Sequence, residues 1–234
     1  MAEAGAITLR QLGLRRKSGW LFRQLDYEIP AGKFVAIVGA SGAGKTSLLQ
    51  ALAGMLPPEE GDIGYTDSTG HSRAPRDFQR EVGTVFQNYR LTFNSDLLTN
   101  VLCGRLGRYS SLRTLFGFSL QDRADAWRIL GDLDLQSRAH NWAAEASGGE
   151  QQRTALARAL IQEPRVILAD EPVSNLDAAL THRVLSRLRT EAETNGRTVL
   201  CVLHHREHVE NFADEELEID SRHPQGWRHR TLRS

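Results

Sequence analysis

The run Gly39-Ala40-Ser41-Gly42-Ala43-Gly44-Lys45-Thr46 has the residue types and spacing of a loop that grips phosphate, G-x-x-x-x-G-K-[ST]. Glycine lets the backbone curl until successive N–H groups converge on phosphate oxygens. A helix starting at the loop would aim its positive end at the same point. Lys45 would bring a compact positive charge to the β- and γ-phosphates. Thr46, followed by Ser47, would bring a hydroxyl to Mg²⁺. The plainer reading is a glycine-rich turn with an exposed lysine. Context disfavours it, because the run follows an apolar strand pattern and precedes a helical one.

A second group is the pair Asp170 and Glu171, which closes the apolar run Val166-Ile167-Leu168-Ala169. A strand buried in a parallel sheet delivers its C-terminal residues to the ligand crevice. There Asp170 would be the Mg²⁺ partner, and Glu171 would polarise an attacking water. Taken alone, two acids before Pro172 read equally well as solvated strand-end charges. The loop at 39–46 tips the balance.

The elements that must position these groups are legible as periodicity. Phe34–Val38 reads as a strand buried on both faces, and Thr46–Leu52 as a helix that closes near Gly54 and Pro57-Pro58. Ile7–Leu14 and Tyr27–Ile29 read as short strands, with a turn at Pro30-Ala31-Gly32. Val82–Phe86, Val166–Ala169 and Thr198–Leu203 are further buried strands. Gly149–Gln162, stopped by Pro164, and Ala179–Asn195 are helices. Strands alternating with helices predict a parallel sheet in an α/β fold. From about Asn88 to Ala146 the pattern turns helical, with Arg123–Leu133 amphipathic, as in a lobe inserted into the sheet.

A length of 234 residues suits one large domain or one domain with an inserted lobe. The 40% apolar and 25% charged content is that of an ordinary globular protein. Lys plus Arg and Asp plus Glu both number 29, so the global basic footprint of a nucleic-acid binder is missing. No apolar run approaches the ~20 residues of a membrane-spanning helix, and Met1–Ile7 carries no secretory signal. Cys103 and Cys201 have no metal spacing and read as buried, reduced thiols. A soluble, cytosolic chain is the expectation.

Between the two acidic and basic motifs lies Ala146-Ser147-Gly148-Gly149-Glu150-Gln151-Gln152-Arg153. It resembles the signature motif of ABC-type ATPases, L-S-G-G-Q followed by Q-R. Gln87 follows the strand Val82–Phe86 like that family's Q-loop. Ser174-Asn175-Leu176-Asp177 sits like its D-loop, and His204 like its switch histidine. The motifs keep family order over about residues 6–215.

The resemblance implies a P-loop NTPase core of the ABC ATPase type, with an antiparallel β subdomain and an inserted α-helical lobe. Residues 1–88 and 147–220 would form the nucleotide-binding core, 89–146 the lobe and 221–234 a tail. ATP and Mg²⁺ are the implied ligands. Lys45, Gln87, Glu171 and His204 would be catalytic. Gly39, Ala40, Ser41, Gly42, Ala43, Gly44, Lys45, Thr46 and Ser47 would hold nucleotide, and Thr46, Gln87 and Asp170 the metal. The family works as a head-to-tail dimer, so Ser147, Gly148 and Gly149 of one copy would meet the γ-phosphate held by the other. The implied partners are a second ATPase subunit, integral membrane permease subunits and, indirectly, a solute-binding protein. No nucleic-acid partner is implied. The place of work would be the cytoplasmic face of the cell membrane.

The stretch Asn100-Val101-Leu102-Cys103-Gly104-Arg105-Leu106-Gly107-Arg108 looks like N-V-L-x-G-R-L-G-R in the ATP-binding subunits of phosphonate importers. Tyr109–Ser119 is similar to a short insertion found there, and Leu168–Val173 also matches. The resemblance implies import of phosphonate, phosphite or a related phosphorus oxyanion. The alternative is a transporter ATPase for another solute, such as an amino acid, or for lipoprotein release. Nucleic-acid-directed relatives carry a long coiled coil or two ATPase units, and a module that has lost hydrolysis would not keep Glu171 and His204. Arg105 and Arg108 are expected to stabilise the lobe, because such importers bind solute on other subunits.

Four departures from the family pattern stand out. Ala146 replaces Leu, which predicts looser packing under the signature turn. Glu150 replaces Gln. The adenine-stacking position is open between Trp20, Phe22 and the guanidinium of Arg16. The acid-rich Glu207–Asp220 is followed by Arg222, His223, Arg228, His229, Arg230 and Arg233. These read as a solvated, partly disordered tail, or else as a contact for anionic lipid or a partner. His71, His140, His182, His205 and His208 match no ligand spacing.

Overall fold

In chain order the elements are β1 (Ile7–Arg16), β2 (Gly19–Ile29), β3 (Phe34–Gly39), α1 (Lys45–Leu52), β4 (Glu60–Tyr65), α2 (Pro75–Gln79), β5 (Val82–Val85) and α3 (Leu97–Leu102). A 3-10 segment at Cys103–Arg108 follows, then α4 (Leu120–Asp132), α5 (Gly148–Leu160), β6 (Val166–Ala169), α6 (Ala178–Glu193), β7 (Thr198–Val202), α7 (Arg206–Phe212), β8 (Glu215–Asp220) and β9 (Gly226–Thr231). This is a computed structural model, and it describes residues 7–16, 19–67, 71–72, 74–86, 89–109, 117–220 and 222–233. The chain divides into two units. One holds Met1–Val82, Arg165–Glu171 and Leu188–Ser234, the other Gly83–Pro164 and Pro172–Arg187. β5 carries the chain from the first into the second.

In the first unit the strands run β6-β7-β3-β8-β9. The first four are mutually parallel, and β9 pairs antiparallel with β8. Phe34, Val35, Ala36 and Ile37 of β3, all of β6 and all of β7 are buried. Parallel strands covered on both faces must be apolar throughout, which is why these three were legible as runs. A separate antiparallel sheet has β1 between β2 and β4.

β2 begins at Gly19, well before the short strand read at Tyr27–Ile29. Phe22, Leu25, Tyr27 and Ile29 point inward, while Gln24 has φ 54° and the register with β1 shifts, so simple alternation is broken. β4 had no apolar alternation to reveal it. It exists because β1 offers a partner edge.

The C-terminal expectation is overturned. The end of the acid-rich stretch, β8, and the basic stretch, β9, are two strands of one hairpin, with Glu216 opposite Arg230, Glu218 opposite Arg228 and Ile219 opposite Trp227, while the earlier Glu207 and Glu210 lie in α7. Arg228 lies 2.7 Å from Glu218, Arg230 3.0 Å from Glu216 and Arg222 2.7 Å from Asp220. The first two pairs face each other across the hairpin, and the third is local to its turn. Arg222, Arg228 and Arg230 are spent on their own hairpin and Arg233 on the Glu210 and Asn211 carbonyls of α7, so they do not form a free basic tail.

In the second unit α3 packs on α4 and α5, and Leu97, Val101, Ala126, Leu130, Leu156 and Leu160 on these helices are all buried. The residues of the Asn100–Arg108 stretch are structural. Asn100 is buried, accepts from the Thr92 N–H and donates to the Thr92 and Asp96 carbonyls. A Cβ on Gly104 would run into the Arg158 carbonyl and Ile161, so only glycine lets the 3-10 segment lie on the end of α5. Arg105 is buried and faces Asp122, Asp125 and Glu163, while Arg108 bonds Glu163 and the Gln162 carbonyl. Much of the insertion read at Tyr109–Ser119 lies outside the described residues. Among the described residues no helix is long and apolar enough to cross a membrane.

Candidate functional site

In the first unit, β3 and β6 end beside one another's chemistry. The loop leaving β3 turns at Gly39 (φ 147°), where a Cβ would strike the backbone carbonyl of Ile219 on β8. Gly44, with φ 101°, is the N-cap residue of α1. Ala40, Ser41 and Gly42 are exposed, Ala43, Gly44, Lys45 and Ser47 are buried, and Thr46 lies between. The loop therefore presents its tip to solvent with the positive end of α1 behind it.

Lys45 folds back over this loop, donating from Nζ to the carbonyls of Gly39 at 2.8 Å and Ala40 at 2.9 Å. Burial lowers its pKa, and the carboxylates of Glu171 and Asp170 oppose the shift. Asp170 is 2% exposed, and among the described residues no hydrogen bond of proper geometry reaches either of its oxygens. Burial pushes its carboxyl above the usual range. The nearby Thr46 hydroxyl, Lys45 and His204 oppose that rise, and the charge of Glu171 adds to it. An ionised, unpartnered carboxylate in such a place is costly without a cation. Asp170 beside Thr46 therefore fits a hard divalent ion bound through oxygen. Among the described residues no cluster of three or more His, Cys, Asp and Glu side chains could hold a metal alone, so phosphate oxygens and water would have to complete the shell.

Glu171 follows with φ 53°, a left-handed conformation unusual for a non-glycine residue. The Nε2 of His204, just past β7, lies 2.7 Å from its Oε1. The parallel order of β6, β7 and β3 explains the gathering: each strand delivers its C-terminal residue to the same sheet edge.

The three stacking candidates separate. Phe22 is 1% exposed and belongs to the core, so it is withdrawn. Trp20 is a strand residue whose ring carries the Arg23 guanidinium 4.4 Å from its centroid. Arg16 donates from Nη2 to the Ser47 hydroxyl at 3.0 Å, beside the first turn of α1.

In the second unit, Ser147 caps α5. Its hydroxyl accepts from the Glu150 N–H, and Glu150 Oε2 accepts from the Ser147 N–H at 2.7 Å. Glu150 is thus the acidic member of a capping box, a role that glutamine fills as well. Burial alone would raise the Glu150 carboxyl, but hydrogen bonds from Ser147 and the charges of Arg138 and Arg153 outweigh it and hold it low. Gly148 and Gly149 form the first turn of α5, and a Cβ on Gly149 would crowd Leu176 and the Asn175 carbonyl. Ala146 is only half-buried, and the Gln151 side chain binds the carbonyls of Ala143 and Ala146. The predicted core truncation at Ala146 is therefore corrected: the turn is held by polar bonds. Gln87 lies outside the described residues.

One group escaped sequence reasoning: Arg158 of α5 donates to the carbonyls of Tyr89 and Arg90. That contact leaves no trace in residue spacing.

Residues 22–174 match the family described as ABC transporter. The chain is 37% identical over 201 residues to the phosphonates import ATP-binding protein PhnC of Trichormus variabilis, which covers 86% of this chain and 82% of that one. It is 39% identical over 194 residues to the protein of the same name from Agrobacterium fabrum, covering 81% of this chain and 68% of that one. Among solved structures it is similar to a dimeric ATP-binding cassette, MJ0796, in a post-hydrolysis state bound to ADP and Pi. The TM-score is 0.84 at 26% identity, over 97% of this chain and 99% of that chain.

Proposed function

The chain belongs to the ABC transporter family, and from that premise we propose that it is the ATP-hydrolysing subunit of an importer for phosphonate, phosphite or a related phosphorus oxyanion. The observation that carries the ATPase reading is the gathering of Gly39–Thr46, Asp170, Glu171 and His204 at one sheet edge. The role of the PhnC relatives in phosphonate import supports the solute class.

In this reading the N–H groups of residues 39–47 cradle the polyphosphate of ATP. Lys45 exchanges its bonds to the Gly39 and Ala40 carbonyls for β- and γ-phosphate oxygens. Thr46 and Asp170, with Gln87, would hold Mg²⁺, which supplies neutralising charge to the phosphate oxygens. Glu171 accepts a hydrogen bond from the attacking water and aligns it with the γ-phosphorus. His204 fixes the Glu171 carboxylate and offers its other face to the γ-phosphate. Arg16 is our choice for the adenine-stacking group. A second copy would bring Ser147, Gly148 and Gly149, at the positive end of its own α5, to the same γ-phosphate. Two copies would sit on permease subunits at the cytoplasmic face of the membrane, with a solute-binding protein acting from the other side.

The test is ATP hydrolysis by the chain reconstituted with its permease and solute-binding partners. Methylphosphonate, phosphite, phosphate and an amino acid would be compared. Stimulation by methylphosphonate or phosphite and not by the amino acid is expected. Stimulation by the amino acid alone would keep the ATPase and remove the solute class.

A further inference from the structure

Three segments of the second unit meet on one side chain. Tyr89, two residues past Gln87, gives its carbonyl to Nη2 of Arg158 at 2.5 Å, while Nη1 of the same guanidinium binds the Arg90 carbonyl at 2.8 Å. Arg158 belongs to α5, the helix that Ser147 caps. The Tyr89 hydroxyl accepts from Nδ2 of Asn175 at 3.3 Å. Asn175 and Leu176 in turn lie against the first turn of α5 at Gly149, and Gln152 of α5 reaches the Ser174 hydroxyl at 3.4 Å. Arg90 has φ 48°, in the left-handed region, where the guanidinium binds the two carbonyls. The loop is closed: from residues 89–90 to α5, from α5 to 174–176, and from 175 back to Tyr89.

Burial disfavours the charged form of Arg158, so its two carbonyl partners are what keep it in place. We propose that Tyr89 is a positioning residue, the joint that makes residues 89–90, the Ser147–Gly149 turn and the Ser174–Asp177 segment move as one body. The inference rests on the ATPase reading. A tyrosine is required because a phenylalanine would keep the packing and the carbonyl clamp while losing the bond to Asn175.

The experiment is a double-mutant cycle on the full chain assembled with its permease, with Tyr89→Phe, Asn175→Ala and the pair, reading kcat and KM for ATP. Tyr89→Phe should lower kcat about five-fold, the worth of one hydrogen bond, and leave KM for ATP unchanged. Asn175→Ala added to it should lower kcat no further. Wild-type kcat in Tyr89→Phe, or kcat losses that multiply in the pair, would overturn the proposal. So would a loss expressed as raised KM. Lys45→Ala in the same assembly separates the two readings. If it is inactive while Tyr89→Phe is normal, only the joint fails. If Lys45→Ala turns over normally, the ATPase reading itself fails.

Discussion

His204 Nε2 and Glu171 Oε1 stand 2.7 Å apart, so a residue two places past β7 and a residue two places past β6 hold each other beyond the ends of neighbouring parallel strands. The bond restrains Glu171, which already carries an unfavourable φ, in one orientation. It follows that the two residues act as a unit on the chemical step. Glu171→Gln should cut kcat by at least ~100-fold and leave ATP bound, trapping an ATP-held dimer visible by sedimentation. His204→Ala should slow turnover with nucleotide affinity largely kept. Glu171→Gln hydrolysing at the wild-type rate would remove it as the water-aligning group.

Asp170 predicts a trade between stability and function. Its folded pKa is raised, chiefly by burial. For an acid the sign is unfavourable: stability falls as pH rises from the unfolded value, about 3.9, through the raised folded one, and the cost is complete above it. At neutral pH Asp170→Asn should therefore raise the thermal midpoint by a few degrees while lowering ATP turnover ~100-fold or more. Calorimetry and an ATPase assay on the same preparation check both halves. A lowered midpoint would show that the carboxylate is not strained by burial.

Gly39→Ala should fail for two reasons at once, a positive φ and a collision with the Ile219 carbonyl. The cost is about 2 kcal/mol or more. Gly42, with φ 80° and open space around it, isolates the first reason from the second. Alanine should be better tolerated at 42 than at 39, as read by urea unfolding and by ATP affinity.

The buried Arg105 holds three carboxylates, of which Asp122 is itself nearly buried. Arg105→Met should destabilise by about 3–5 kcal/mol, because it leaves acid charge behind without a partner. The pH dependence follows from Asp122 and Glu163. Burial would raise both, but hydrogen bonds outweigh it, from Ser119 and Tyr109 in the first case and from Arg105 and Arg108 in the second, so both sit low. Depressed acids stabilise above their unfolded values, about 4, and lose that contribution as pH falls toward the folded ones. Wild-type stability should drop below about pH 4, and Arg105→Met should flatten that limb. An unchanged acid limb in the variant would count against the network.

What the sequence determined is local and covalent. A strand buried on both faces must be apolar throughout, so β3, β6 and β7 were readable from Phe34–Val38, Val166–Ala169 and Thr198–Leu203. The grip of Gly39–Thr46 needs small residues and a lysine at fixed spacing within one segment, so it too was visible. The tertiary structure decided whatever depends on two segments meeting. β4 and β9 are strands because β1 and β8 present edges to them, and no period in their own residues says so. The acid and base runs of the C-terminus look like a tail until register sets Glu216 against Arg230. Phe22 left the list of stacking candidates once β2 turned it inward, and Arg158 gained a role once α5 met the carbonyls of Tyr89 and Arg90. Pattern records what one segment asks of its surroundings, and pairing between distant segments is settled by packing, which no single window of residues contains.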